Sequence, residues 1–287
     1  MKGIVLAGGT GSRLYPLTKS ISKQLLPVFD KPLIHYPIAT LMAAQIRDIL
    51  IITTPLDKDL FQRLLGDGKD LGINLEYAVQ NSPNGIPDAF LIGEEFLGGQ
   101  SAALILGDNI FFGYGLGRQL ERFREISGAQ IFGYSVADPQ RYGVATLNQQ
   151  GNLASIEEKP IAPKSNIAIT GLYFYDSRIV EICKSLKPSE RGETEISDVN
   201  RHYLELGEIN LTLLPRGTAW FDTGTFEALH DASTFVRVIE ERQNTKIACL
   251  EEIAWRNGWI SDSEITDIAK NCINPVLRAY LESLLIR

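Results

Sequence analysis

Along the first third of the chain, short apolar runs alternate with stretches in which apolar residues recur every three or four positions. Residues 2–7, 48–54, 74–79 and 102–106 read as buried strands, the second built on Ile49-Leu50-Ile51-Ile52. Residues 33–45, 56–65 and 86–96 read as the helices between them, with Pro32 in the first turn of the first and Gly66 closing the second. This repetition predicts an α/β fold with a mostly parallel, Rossmann-like sheet flanked by helices on both faces. Ligands of such sheets bind beyond the carboxyl ends of the strands. Gly8, Gln80 and Asp108 each follow the end of a different predicted strand, so one edge of the sheet should collect all three. The middle of the chain changes character. Residues 130–136, 144–147, 153–157 and 168–175 read as strands joined by short turns, an antiparallel-leaning insert that makes the sheet mixed. Residues 179–186 and 196–206 read as helices, 210–214 as one more strand and 225–243 as a long helix. From Cys249 the pattern is helical to Arg287, a C-terminal appendage on one compact body. No repeat, low-complexity tract or linker breaks the pattern.

The first predicted strand runs directly into Gly8-Gly9-Thr10-Gly11-Ser12-Arg13. Glycines let a backbone turn tightly and approach a ligand, and successive N–H groups can then converge on phosphate oxygens. Arg13 and, further on, Lys23 add positive charge, so a polyanion with several phosphates is the natural guest. A tight strand-to-loop turn is the plain alternative. The dinucleotide fingerprint G-x-G-x-x-G fails at Leu14, and a Walker loop fails because Gly11-Ser12-Arg13 does not supply G-K-[ST]. A third kind of loop is indicated.

Composition narrows the choice. With 44% hydrophobic residues the chain can bury a large core, and a net charge of −7 argues against a general nucleic-acid binder. The useful positive charge is local. Three cysteines, Cys183, Cys249 and Cys272, have no C-x-x-C spacing, which suits a reducing, cytoplasmic setting and gives no zinc signal. The N-terminal apolar run is short for a signal segment, and no stretch approaches membrane-spanning length, so no membrane partner is expected. The three histidines, His35, His202 and His230, lie on predicted helices and form no nucleophilic triad with a serine or cysteine.

The string from Gly9 to Pro27 fits G-x-G-x-R-L-x-P-L-T-x-x-x-x-K-x-L-L-P. Further blocks are Asp30-Lys31-Pro32, Leu65-Gly66-Asp67-Gly68, Leu106-Gly107-Asp108-Asn109, Arg141-Tyr142-Gly143-Val144, Glu157-Glu158-Lys159-Pro160, the run from Thr170 to Tyr175, and Trp220-Phe221-Asp222-Thr223-Gly224. On these the chain resembles the sugar-nucleotide pyrophosphorylases nearly end to end, in the branch that joins dTTP to glucose 1-phosphate. The resemblance implies a nucleotide-diphospho-sugar transferase (GT-A-like) fold. Its catalytic domain would span residues 1–243, with a sugar-binding part roughly at 129–222 and a helical, oligomerising and regulatory segment at 244–287. A sugar-phosphate oxygen would attack the α-phosphorus and release pyrophosphate, so positioning and charge neutralisation would matter more than a protein nucleophile. The product, dTDP-glucose, would feed deoxysugar synthesis, rhamnose for example.

The same resemblance assigns residues. Leu6, Gly8, Gly9, Thr10 and Gly11 would surround the nucleotide, Arg13 would lie against the triphosphate, and Lys23 would neutralise the reacting phosphates. Gln24 and Gln80 would read the pyrimidine edge, since an amide offers both a donor and an acceptor, with backbone groups at Gly85 completing that pocket. Neither senses the thymine methyl, so a uridylyltransferase stays open. Asp108 and Asp222 would hold Mg²⁺, a hard cation suited to carboxylate and phosphate oxygens. From the residues alone, Asp108 could equally serve a turn beside Gly107, and Asp222 could cap the helix that follows. Lys159 and Arg191 would hold the sugar phosphate, Gly143 and Glu158 the sugar hydroxyls, and Ile169 and Tyr173 would line that pocket. Glu252, Ile253, Arg256 and Ile260 would line a second site at a subunit interface of a homotetramer, where a dTDP-sugar end product inhibits; an ordinary amphipathic helix is the plain reading. A non-catalytic sugar-nucleotide-binding regulator would be expected to lose the charged site residues. A glycosyltransferase would show D-x-D, whereas Asp108 is followed by Asn109-Ile110. The chain departs from the family at Asn84-Gly85-Ile86-Pro87-Asp88-Ala89, usually Asp-Gly-Leu-Ala-Gln-Ala, beside the expected base pocket. Thr194 and the tail 271–280 differ as well.

Overall fold

Four parallel strands set the frame in the computed structural model, which describes residues 1–9, 11–189 and 192–286. They are β1 (Lys2–Ala7), β4 (Asp48–Thr53), β5 (Asn74–Val79) and β6 (Ala102–Leu106). A small hairpin, β2 (Pro27–Val28) with β3 (Lys31–Pro32), and helix α1 (His35–Ala43) separate the first two strands. Helix α2 (Lys58–Leu65) precedes β5, and α3 (Asp88–Ile92) and α4 (Glu94–Leu97) precede β6. Two expectations need correction here. Pro32 pairs with Pro27 in the hairpin and lies outside the first turn of α1, and the helix expected over 86–96 is broken at Gly93.

Strand β1 has β4 on one side and β6 on the other, and β5 continues beyond β4. The chain therefore steps outward from β1 and then returns to its opposite flank. That reversal opens a crevice at the carboxyl ends of β1 and β6, the place where such sheets bind ligands. Gly8 and Asp108 stand on its two lips.

The second half contributes β7 (Asn109–Phe112), α5 (Leu116–Glu121), β8 (Ala129–Ser135), β9 (Gly143–Leu147), β10 (Leu153–Glu158), β11 (Ile167–Tyr175), α6 (Ile179–Ser185), α7 (Ile196–Glu205), β12 (Ile209–Leu213) and β13 (Ala219–Asp222). Strand β11 runs antiparallel to β6 and carries β8 and β9, so the expected antiparallel insert joins the main sheet directly. Its ladder to β8 is interrupted between Ile169 and Tyr173, beside the crevice. Strands β7 and β13 pair as a separate ribbon that places Asp222 opposite Asn109.

Alternation along each central strand feeds two cores. Val5, Ile51 and Ile105 face α1 and Phe61, whereas Ile4, Ile52 and Leu104 face Phe90, Ile179 and Val199. Buried on both faces, these strands read as continuous apolar runs. The long helix α8 (Phe226–Gln243) is capped by Thr225, whose side chain accepts from the Ala228 amide at 3.2 Å. Helices α9 (Leu250–Arg256), α10 (Asp262–Asn271) and α11 (Pro275–Leu284) follow, α10 opening with a Ser261–Glu264 capping box. Leu250, Ala254, Ile265 and Leu281 pack into the same core as α1. No helix among the described residues is long and apolar enough to cross a membrane.

Candidate active site

At the phosphate end, Gly8, Gly9, Gly11, Arg13, Lys23 and Asp108 enclose a hollow of 230 Å³. The lysine is buried, at 8% exposure, and its Nζ donates to Asp108 Oδ2 at 2.5 Å. Burial by itself would raise the Asp108 carboxyl, but the Lys23 charge and hydrogen bond, helped by Asn109, hold it below its ordinary value. The structure thus links a residue expected to neutralise phosphates with one expected to hold a metal.

Asp222 shows the opposite behaviour. Burial raises its carboxyl, the nearby Asp108 charge raises it further, and Lys23, Arg13 and Arg141 offset this only in part. Two carboxylates whose mutual repulsion is incompletely neutralised form a cation-seeking pair. Among the described residues no group of three or more metal-binding side chains forms. A pair of oxygen donors beside a phosphate hollow suits a hard divalent ion that completes its shell with phosphate and water. The sequence alternative, Asp222 as a helix cap, is displaced because Thr225 caps α8 itself. A Cβ at Gly224 would meet Arg13 Nη2 and Asp222 Oδ1, each at 3.1 Å, so the Arg13 guanidinium and the second carboxylate both crowd that glycine.

The hollow opens into a cleft of 740 Å³ lined by Arg13, Asp108, Gly143, Glu158, Lys159 and Asp222. Ile169 and Tyr173 also line it, and burial pushes the Tyr173 phenol well up, keeping it neutral. Ser197 Oγ donates to Glu158 Oε2 at 2.5 Å. Lys159 has a left-handed backbone (φ 42°), and its side chain is about half exposed, with Nζ 3.6 Å from Glu158 Oε1. A third space, of 190 Å³, is bounded by Leu6, Gly8, Gln80, Gly85, Glu158 and Lys159. Gly85 takes φ 106° and bridges Thr194, and a Cβ there would stand 2.0 Å from the Thr194 carbonyl oxygen. Gln24, buried at the phosphate hollow, accepts from the Ser22 hydroxyl at 2.7 Å. The three spaces share walls and form one continuous groove.

Every residue expected at the nucleotide, sugar-phosphate and metal sites, among those described, borders this groove, from Leu6 and the glycine loop to Asp222. Thr10 and Arg191 lie outside the described residues. Several contributors were not anticipated. Arg141 Nη2 and Asn200 Nδ2 are buried without a hydrogen-bond partner among the described residues, and both residues line the 740 Å³ cleft. Arg141 Nη2 lies 3.9 Å from Asp222 Oδ2, and both donors keep hydrogen-bonding capacity that a ligand oxygen could take up. Arg141 stood in a recognised sequence block, two positions before Gly143, so a signal existed. Asn109 stood in another such block, beside Asp108: its Oδ1 accepts from Gly171 N at 3.1 Å and Trp220 Nε1 at 2.6 Å, tying β7 to β11 and β13.

In the C-terminal segment, Glu252 accepts from Arg256 Nε at 2.7 Å and from Tyr280 OH at 2.5 Å. Arg256 is exposed and Ile253 half-buried, but Ile260 is 5% exposed and sits in the core. The Ile260 side chain thus contributes to the packing of this segment.

Residues 2–238 match the nucleotidyl transferase family. A glucose-1-phosphate thymidylyltransferase of Neisseria meningitidis is 55% identical, with 99% of each chain covered. A Bacillus anthracis structure, provisionally named as the same enzyme and solved with sucrose, superposes with a TM-score of 0.76 at 42% identity, covering 83% of this chain and 95% of its own. A UDP-glucose pyrophosphorylase solved with UDP-glucose superposes at 0.73 with 25% identity, over 83% of this chain and 98% of that one. The chain belongs to the nucleotidyl transferase family, whose enzymes generally use a divalent metal ion.

Proposed function

We propose that the protein is a glucose-1-phosphate thymidylyltransferase, making dTDP-glucose and pyrophosphate from dTTP and α-D-glucose 1-phosphate. The observation that carries the reading is the continuous groove, in which the phosphate hollow with its Lys23–Asp108 pair joins a base-sized space at Gly8 and Gly9 and a sugar-sized cleft at Arg13 and Asp108. A sugar-phosphate oxygen forms a bond to the α-phosphorus while the bond to the bridging oxygen breaks, and pyrophosphate leaves with that electron pair. Both reactants are anions, so the chain's work is to align them and to neutralise charge. Arg13 and the glycine loop face the leaving pyrophosphate, Lys23 the reacting phosphates, and Lys159 the sugar phosphate. Glu158 and Gly143 receive the sugar hydroxyls. Gln24, Gln80 and Gly85 take the base. Asp108 and Asp222 would hold Mg²⁺, which when bound neutralises phosphate charge.

The test is a matrix of nucleotides against sugar 1-phosphates with Mg²⁺, read as pyrophosphate released without any acceptor. dTTP with glucose 1-phosphate should give the fastest release. A clear UTP preference would change the name and keep the reaction class; no release from any pairing would overturn the reading. A dTDP-sugar end product as inhibitor, acting at Glu252, Ile253 and Arg256 in a homotetramer, completes the proposal. Inhibition unchanged by Arg256→Ala, or a monomer by sedimentation, would count against that part. Three free cysteines, two of them buried, suit the cytoplasm.

A further inference from the structure

The base-sized space contains an amide whose orientation its partners dictate. Gln80 is 9% exposed, and its Nε2 donates to Asp88 Oδ2 at 2.9 Å and to the Gly85 carbonyl at 3.3 Å. Carboxylate and carbonyl oxygens accept and cannot donate, so reversing the amide would set oxygen against oxygen on both sides. An amide commonly has two near-equivalent placements. Here one is forbidden. Gln80 Oε1 consequently lies on the other side, over Gly8, where a Cβ would stand 3.0 Å from it. Gly8 and Gln80 line the same 190 Å³ space. Asp88 is itself steadied by Asn84, whose Nδ2 donates to Oδ2 at 3.4 Å. Gln24 is not constrained in this way, because its Ser22 partner is a hydroxyl that can donate or accept.

We infer that Asp88 is a positioning residue for nucleotide choice. It turns Gln80 so that a carbonyl oxygen, an obligate acceptor, is presented to the base. The site then takes bases whose edge offers an N–H at that point, the ring imide of thymine or uracil. Cytosine has a bare ring nitrogen there and would set acceptor against acceptor. The inference rests on the base assignment of this space made above, and Asp88 acts only through Gln80.

The experiment measures Kd for dTTP and dCTP by calorimetry in the wild type, Asp88→Asn, Asp88→Glu, Gln80→Leu and the Asp88→Asn/Gln80→Leu double variant. The amide of Asp88→Asn can donate as well as accept, which removes the nearer of the two bars to reversal and leaves only the longer Gly85 contact. The dTTP-over-dCTP preference should then fall about tenfold, the scale of one misplaced hydrogen bond in a binding site. Asp88→Glu keeps an acceptor-only group and should retain the preference. In the Gln80→Leu background the Asp88→Asn change should alter it by less than about twofold, since a residue acting through a partner loses its effect with that partner. KM for glucose 1-phosphate should stay at the wild-type value in Asp88→Asn and Asp88→Glu, and circular dichroism reports folding of all the variants. A preference unchanged in Asp88→Asn, or an equal effect in both backgrounds, overturns the inference alone. No preference in the wild type overturns the base assignment and the inference with it. Binding is read independently of turnover, so failure of the activity is separately visible as absent pyrophosphate.

Discussion

Thr223 donates both its backbone N–H and its hydroxyl to the carbonyl oxygen of Asp108, at 3.1 and 2.9 Å. Because Thr223 is fully buried and directly follows Asp222, these two bonds fix the main chains that bear the two carboxylates relative to each other. Thr223→Val keeps the shape and removes the hydroxyl. It should cost about 1 kcal/mol of stability. Turnover should fall about tenfold, since reacting groups tolerate little displacement. Thermal melts and steady-state rates read the two effects separately; wild-type turnover would show that the carboxylate spacing is set elsewhere.

Asp108→Asn should fold, with unchanged circular dichroism, and lose metal-dependent pyrophosphate release by about 10²- to 10³-fold, as expected when a group aimed at developing charge is removed. Activity like that of the wild type would take Asp108 out of the metal site.

Gly85→Ala places a methyl 2.0 Å from the Thr194 carbonyl oxygen at φ 106°. The loop must move, at a cost of about 1–3 kcal/mol. We expect weaker dTTP binding with little change in the KM for glucose 1-phosphate. A rise confined to the sugar phosphate would contradict the base assignment.

Asp176 gives a pH dependence of stability at a distance from the phosphates. Burial would raise its carboxyl, but Arg178, the Gly128 amide and the Tyr203 hydroxyl outweigh it, so it titrates below its ordinary 3.8. A depressed folded value means that the unfolded chain binds the proton more readily. The contribution is therefore complete above pH 3.8 and is lost as pH falls through the folded value. Asp176→Asn should lower stability by about 2 kcal/mol near neutrality, the scale of hydrogen bonds to a charged group. The gap to the wild type should narrow in acid. A gap independent of pH would assign the loss to packing.

Strands β1, β5 and β6 were legible to the residue: β1 and β6 are apolar runs at the centre of a covered sheet, and β5, at its edge, alternates Leu75, Tyr77 and Val79 with polar or small residues. The ribbon of β7 and β13 was not. Its two short segments mix aromatic and polar residues and find each other across more than a hundred positions, a pairing that local periodicity does not encode. That ribbon is what brings Asp222 to the crevice, so the sequence marked the residue through its motif while leaving its delivery unseen. Arg141 escaped for a related reason. An arginine reads as solvated until a fold buries its tip, and here the burial comes from strands remote in sequence. Gln80, by contrast, was placed correctly by its position after β5, and only its orientation had to wait for Asp88.

Helices α9 to α11 share the hydrophobic interior with α1 and are not merely attached to its outside. Shortening the chain after Asn244 would remove Leu250, Ala254, Ile265 and Leu281 from that shared core and yield a sticky, misfolded fragment. The last forty-odd residues therefore belong to the folded body itself, and their exposed face can be probed only one side chain at a time, because removing the segment takes part of the interior with it.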